Sequence, residues 1–328
     1  MPNRGTISRD ELVKLPYLDH SVWDDRLVPI LPYLNENGEW EHWWPVRDGL
    51  VNIKGTPIES DYFAKCPERD TDIYFWFVDF ITKRAYFPDV VFFIDCIRND
   101  LHNLGASLGK IDLFFRVRKE TGSKVRRYVS TETEYIFTVC RSLYDLLQEV
   151  ISRLWNRVQL LDKNVKKQKL PQSFRKMVLE DNKLMDPGRI QERYRLTKEL
   201  ADFYSQAGPF FRTLKDFRDG IVHHGKWFEL IFVTDRGFAI PQDTQPFSSF
   251  GVWRDQDLLP NDLASFRPVL AHIVTSTLNA CELFTRTMQG TIQFPPDIAP
   301  DHNLYIRGPH NGALIKMKTI LEGNPWWG

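Results

Sequence analysis

An arginine, a carboxylate and two histidines stand together in Arg218-Asp219-Gly220-Ile221-Val222-His223-His224-Gly225. A histidine can exchange a proton with a hydroxyl or a leaving oxygen near neutral pH. An arginine can hold phosphate oxygens through two parallel donors and stabilise charge that develops during transfer. Asp219 and His223 are four apart, so on a helix they share a face and the carboxylate can orient the imidazole. Arg218 and His223 are five apart, a step that turns about 140 degrees on an ideal helix. Arginine's reach, and a chain that leaves the helix at Gly225, are what would bring both groups to one pocket. Acting on RNA, such a set needs no metal, because the ribose supplies its own hydroxyl nucleophile; His224 would be an auxiliary phosphate donor. The same residues also have a structural reading, in which the histidine caps helix carbonyls and Arg218 bridges two helices through a carboxylate. No Cys, Asp or Glu completes a recognised ligand spacing around the paired histidines, so neither a metal nor another cofactor is expected.

These side chains need helices to position them, and the chain reads as mainly α. A short helix is predicted over Thr71 to Arg84, and Pro88-Asp89 opens a second. There Val90, Phe93, Ile94, Ile97, Leu101, Leu104, Leu108 and Ile111 recur at three- and four-residue steps. Gly105 and Gly109 inside it permit close helix approach or a break. Lys119 to Arg127 reads as a basic connector, and Thr133 to about Leu161 as the clearest helix, long enough to want a long partner. Shorter helices follow over Gln172 to Leu184 and from Pro187-Gly188 to about Ser205. Gly208-Pro209 then opens the segment ending at Gly225, and Leu263 to Met288 forms the last long helix. Trp227 to Val233 and Phe238 to Ile240, joined at Asp235-Arg236-Gly237, read as a β-hairpin. The division is an irregular and helical region over 1–130, a helical bundle over 131–290 with the hairpin at about 226–241, and an irregular tail over 291–328. Trp326-Trp327 in that tail is expected to dock, on this chain or on another subunit.

Arg218-Asp219-Gly220-Ile221-Val222-His223, followed by a last bundle helix, resembles the Arg, polar residue, spacer, His signature of the HEPN superfamily. The resemblance covers about Thr133 to Met288. It implies a helical bundle of HEPN-like type with a small β-hairpin insertion and additional N-terminal helices. It also implies a homodimer whose two Arg and His pairs face one cleft, and metal-independent RNA cleavage in a defence or stress response, restrained by an antitoxin-like protein. By similarity Arg218 and His223 are the catalytic pair and Asp219 the polar position. Non-catalytic interaction modules occur in the same superfamily, and a small-molecule-binding regulator lined by aromatic residues is a third reading.

Lys163, Lys166, Lys167 and Lys169 form a basic linker. Such runs are ordinarily solvated, but beside a bundle site they could guide an RNA backbone. Trp40, Trp43 and Trp44 read as anchors for an irregular cover, or as a platform for a sugar or base. The 328 residues carry 43 Lys plus Arg and 43 Asp plus Glu, so net charge draws the protein toward neither nucleic acid nor membrane. The apolar run Ile73 to Ile81 contains Asp79 and is too short to span a bilayer. Four scattered cysteines and an N-terminus without an apolar secretion core fit a cytoplasmic chain.

Overall fold

A computed structural model describes residues 7–327 apart from 24, 48 and 225–230, and for 221–224 the backbone alone. The chain opens with a single turn, α1 (Arg9–Leu12), then lays down β1 (Tyr33–Leu34), β2 (Trp40–Val46), β3 (Gly49–Ile53), β4 (Ser60–Ala64) and β5 (Ile73–Tyr74). Helices α2 (Trp76–Arg84), α3 (Val91–Arg116), α4 (Arg118–Thr121) and α5 (Lys124–Leu154) follow. The short elements β6 (Gln159–Leu160), α6 (Phe174–Val178), β7 (Leu179–Glu180), β8 (Lys183–Leu184) and α7 (Pro187–Tyr194) lead into α8 (Lys198–His224). Then come β9 (Phe232–Val233), β10 (Phe238–Pro241), β11 (Leu258–Leu259), β12 (Leu263–Ser265) and α9 (Arg267–Thr291), before β13 (Ile292–Gln293), β14 (Asn303–Arg307) and α10 (Asn311–Ile320).

The expectation of a mainly α, HEPN-like helical bundle is overturned. About 49% of the structure is helical and 15% is strand, and a six-stranded mixed sheet makes this an α/β protein. The strand order is β3-β2-β1-β4-β14-β5, with β1 parallel to β4 and the other pairs antiparallel. The first 65 residues hide these strands because several are only two to five residues long, too short to show a period of two. The tail is not irregular either, since β14 lies between β4 and β5 and α10 packs against α3 and α9. Arg307 fixes β14 from its C-terminal end, with Nε and Nη2 both on Asp72 (3.0 and 2.6 Å) and Nη2 also on Glu68 at 2.6 Å.

The helical stripes form the core. On α3, Ile94, Ile97, Leu101, Leu104, Leu108 and Ile111 are all buried, and the helix runs unbroken through Gly105 and Gly109. On α5 the buried stripe begins at Val125, so the expected connector over Lys119 to Arg127 is instead α4 and the first turn of α5, divided at Gly122 with φ +60°. α8 runs through Pro209 rather than starting there. Burial of Tyr204, Phe211 and Leu214 on both sides of the proline outweighs the missing N–H. α5 and α8 are antiparallel: Phe137 stacks on Phe217 at 3.9 Å, Tyr144 meets Phe211 at 5.6 Å, and the Tyr204 hydroxyl donates to Gln148 Oε1 at 2.7 Å. Over its described residues the expected hairpin is β9 and β10, in a four-stranded sheet of order β11-β12-β10-β9, and Trp227 to Leu230 lie outside the described residues. Trp326 and Trp327 dock on their own chain, where the Trp327 indole donates to Asp112 at 2.8 Å and packs against Phe115 and Phe238.

Candidate functional site

Arg218 sits on the side of α8 that carries Lys215 and Asp219, and the charge of Arg141 on α5 reaches Asp219. Its side chain is 30% exposed, and Nη1 donates to Asp219 Oδ1 at 3.2 Å. Lys215, one turn earlier, pairs with the other Asp219 oxygen at 3.0 Å. Partial burial raises the Asp219 pKa, but the bonds from Lys215 and Arg218 and the field of Arg141 outweigh it and hold the carboxyl below its ordinary range. Arg141 is paired with Asp145 at 3.5 Å, and its Nε has no hydrogen-bond partner among the described residues. Two cations therefore bond one ionised carboxylate within the field of a third, and no described residue other than Asp219 bonds the Arg218 guanidinium. That leaves part of the fork available to an outside anion.

The two histidines of the motif are placed only by their backbone. The side chains of His223 and His224 lie outside the described residues, as does Gly225. The helix continues through His224, so the expected departure does not relieve the angle between Arg218 and His223, about 140 degrees around the axis. Asp219 is engaged by Lys215 and Arg218, and its expected pairing with the His223 imidazole lies outside the described residues.

The lysine linker is not part of this site. Lys167 donates to the Trp155 and Val158 carbonyls and so is tied to the chain, which corrects its reading as a backbone contact. Lys163, Lys166 and Lys169 are exposed, but they lie at the far end of α5. Because Phe137 faces Phe217, Arg218 is level with roughly Ile136, and Trp155 is about 28 Å further along the axis.

A second Arg and His pair escaped the sequence reading. Arg98 and His102 are one turn apart on α3, and Asp61 of β4 pairs with both: it forms an ion pair with Arg98, Nε at 2.7 Å, and a hydrogen bond with His102 Nε2 at 3.2 Å. Asp95 takes Arg98 Nη2 at 3.1 Å and the Tyr86 hydroxyl at 3.0 Å. Burial lowers the His102 pKa, but Asp61 and the charge of Glu59 more than compensate, so the imidazole is raised above its ordinary range. The four-residue spacing was legible; Asp61, on a strand that the sequence did not reveal, was not. Two carboxylates already neutralise this buried guanidinium and tie α3 to the sheet, although its Nε and Nη1 have no hydrogen-bond partner among the described residues.

Elsewhere, Trp40 is buried with its indole on Glu68 at 2.9 Å, while Trp43 and Trp44 line an open cleft of about 420 Å³ with His42 and Glu59. Among the described residues no group of three or more His, Cys, Asp or Glu is placed to hold a metal ion. Nor is any described helix long and apolar enough to cross a membrane. Compared with known protein families, with curated proteins and with solved structures, the chain matches none.

Proposed function

We propose that the chain binds RNA at the C-terminal end of α8 and cleaves it without a metal ion, as a cytoplasmic homodimer. The observation that carries this reading is the part-exposed Arg218 guanidinium, which shares Asp219 with Lys215 within the field of Arg141, on the helix that also bears His223. In the reaction a ribose 2′-oxygen bonds to phosphorus and the bond to the 5′-oxygen breaks. His223 accepts the hydroxyl proton, a second imidazole or water protonates the departing oxygen, and Arg218 neutralises charge on the phosphoryl oxygens. A two-fold partner would supply a second Arg and His set and so bridge the angle that one helix imposes.

The test is cleavage of a mixed, unstructured RNA in EDTA by the wild type and by Arg218→Ala and His223→Ala proteins with unchanged melting temperatures. Each substitution is expected to slow cleavage by about 10²-fold or more. A wild type that cleaves nothing, or three proteins that cleave equally, would end the nuclease reading.

A further inference from the structure

The dense positive surface that the lysine linker does not provide is found at the other end of α5. Between Arg116 and Arg127 the chain carries Arg116, Arg118, Lys119, Lys124, Arg126 and Arg127 against one acid, Glu120, in a protein whose charges balance overall. Arg116, Lys119, Lys124 and Arg126 are exposed, and none forms an ion pair with a described residue. This turn joins a groove of about 260 Å³ between α3 and α10, walled by Gly109, Lys110, Arg116, His310, Gly312 and Lys316. A Cβ at Gly312 would meet nothing within 4 Å, so the floor there is open. The acids are already engaged: Asp112 by the Trp327 indole at 2.8 Å, and Glu132 by Lys110 at 3.0 Å and Ser107 at 2.7 Å. At the start of α5, Tyr128 packs against Phe114 of α3 at 5.4 Å and remains 43% exposed.

We propose that this groove and turn are the track for a single-stranded RNA, whose phosphates lie along the cations while a base stacks on Tyr128. Exposed cations that lead into a concave groove, with an exposed ring one turn from Lys124 on α5, suit a flexible strand with unstacked bases. A planar headgroup surface would need neither groove nor ring. The antiparallel packing of α5 and α8 places Arg126 roughly 15 Å along the axis from the level of Arg218, so one strand can reach both. The proposal rests on the reading of the α8 end for its ligand, though its geometry is independent of that site.

Binding of a labelled, unstructured 20-nucleotide RNA is measured by anisotropy over a range of salt, with the full chain carrying Arg218→Ala so that cleavage does not intervene. Adding Arg116→Glu, Lys124→Glu and Arg126→Glu is expected to weaken binding at least tenfold and to flatten the salt dependence. The matched reversal Lys163→Glu, Lys166→Glu and Lys169→Glu is expected to change it less than twofold. Tyr128→Ala, which keeps every charge, is expected to cost fivefold or more, and it remains informative if the triple variant does not fold. Equal losses from both reversals, or no loss from the first, would overturn the proposal. So would a first reversal that abolishes binding to phosphatidylserine vesicles and leaves RNA binding intact. Turn-dependent RNA binding by a wild type that cleaves nothing keeps the track and removes the nuclease; cleavage that needs Arg218 but tolerates the first reversal does the opposite.

Discussion

Asp61 joins two elements through two cations, and the His102 half of that junction gives it a pH dependence. Burial pulls the His102 pKa down, but the bond to Asp61 and the nearby charges of Asp61 and Glu59 raise it above the unfolded value of about 6.5. A raised folded pKa means that the protonated form is favoured by folding. Its stabilisation is therefore complete below about pH 6.5 and is lost as pH rises through the folded value. His272 and His302 are shifted the other way, both chiefly by burial, so they favour folding as pH rises and partly mask the effect in the wild type. The comparison must be a difference. His102→Gln is expected to lower the melting temperature at pH 5.5, with a loss of about 1 to 2 kcal/mol, and to lower it less at pH 8.5. A wild-type advantage that grows with pH would show that the imidazole is not held in its charged form.

At the scale of elements, α3 is continuous where the sequence allowed a break, because its apolar stripe is buried without interruption from Ile94 to Ile111. The close approach at its two glycines is to the loop before α10, not to another long helix. A Cβ at Gly105 would lie 3.7 Å from the His310 carbonyl oxygen, an ordinary contact, whereas one at Gly109 would lie 2.6 Å from His310 Nδ1. Gly105→Ala is therefore expected to stabilise the protein by about 0.5 to 1 kcal/mol, the difference in helix propensity. Chemical denaturation would check it, and a destabilised Gly105→Ala protein would mean that the loop and helix are closer than this. The long helices were legible because their partners' identities do not matter to a periodic stripe. α8 was legible only in part, since Gly208-Pro209 looks like a start and only the burial of Tyr204, Phe211 and Leu214 shows why it is not one. Of the site, the Arg218 and Asp219 neighbourhood was readable, whereas Arg141 and Lys215 joined it through helix packing and helix spacing that the sequence reading did not use.

Taken as a whole molecule, the chain closes on itself. Its six-stranded sheet is assembled from β1 to β5 and then completed by β14, so the last 30 residues hold β5 to the other N-terminal strands. No local pattern could reveal this, because Arg307 and its partner Asp72 are 235 residues apart and the strand itself has only five residues. Beyond β14, α10 forms one wall of the basic groove and Trp327 occupies Asp112, so the same tail that completes the sheet also shapes the surface proposed for RNA. Ending the chain after Ala299 removes Leu304, Ile306, Leu314, Met317, Ile320 and Trp326, all buried. At roughly 1.5 to 3 kcal/mol for each large apolar side chain, the loss is on the order of 10 kcal/mol or more. Typical domains are stable by only about 5 to 15 kcal/mol. The truncated chain is therefore expected to lose its cooperative thermal transition and to be cut rapidly by trypsin within its first 130 residues. Ending the chain instead after Leu321 keeps β14 and α10 and removes only the tryptophan dock, so it is expected to melt cooperatively at a lower temperature. If the Ala299 truncation melted like the full chain, β14 would be an accessory strand and the sheet would have to be stable without it.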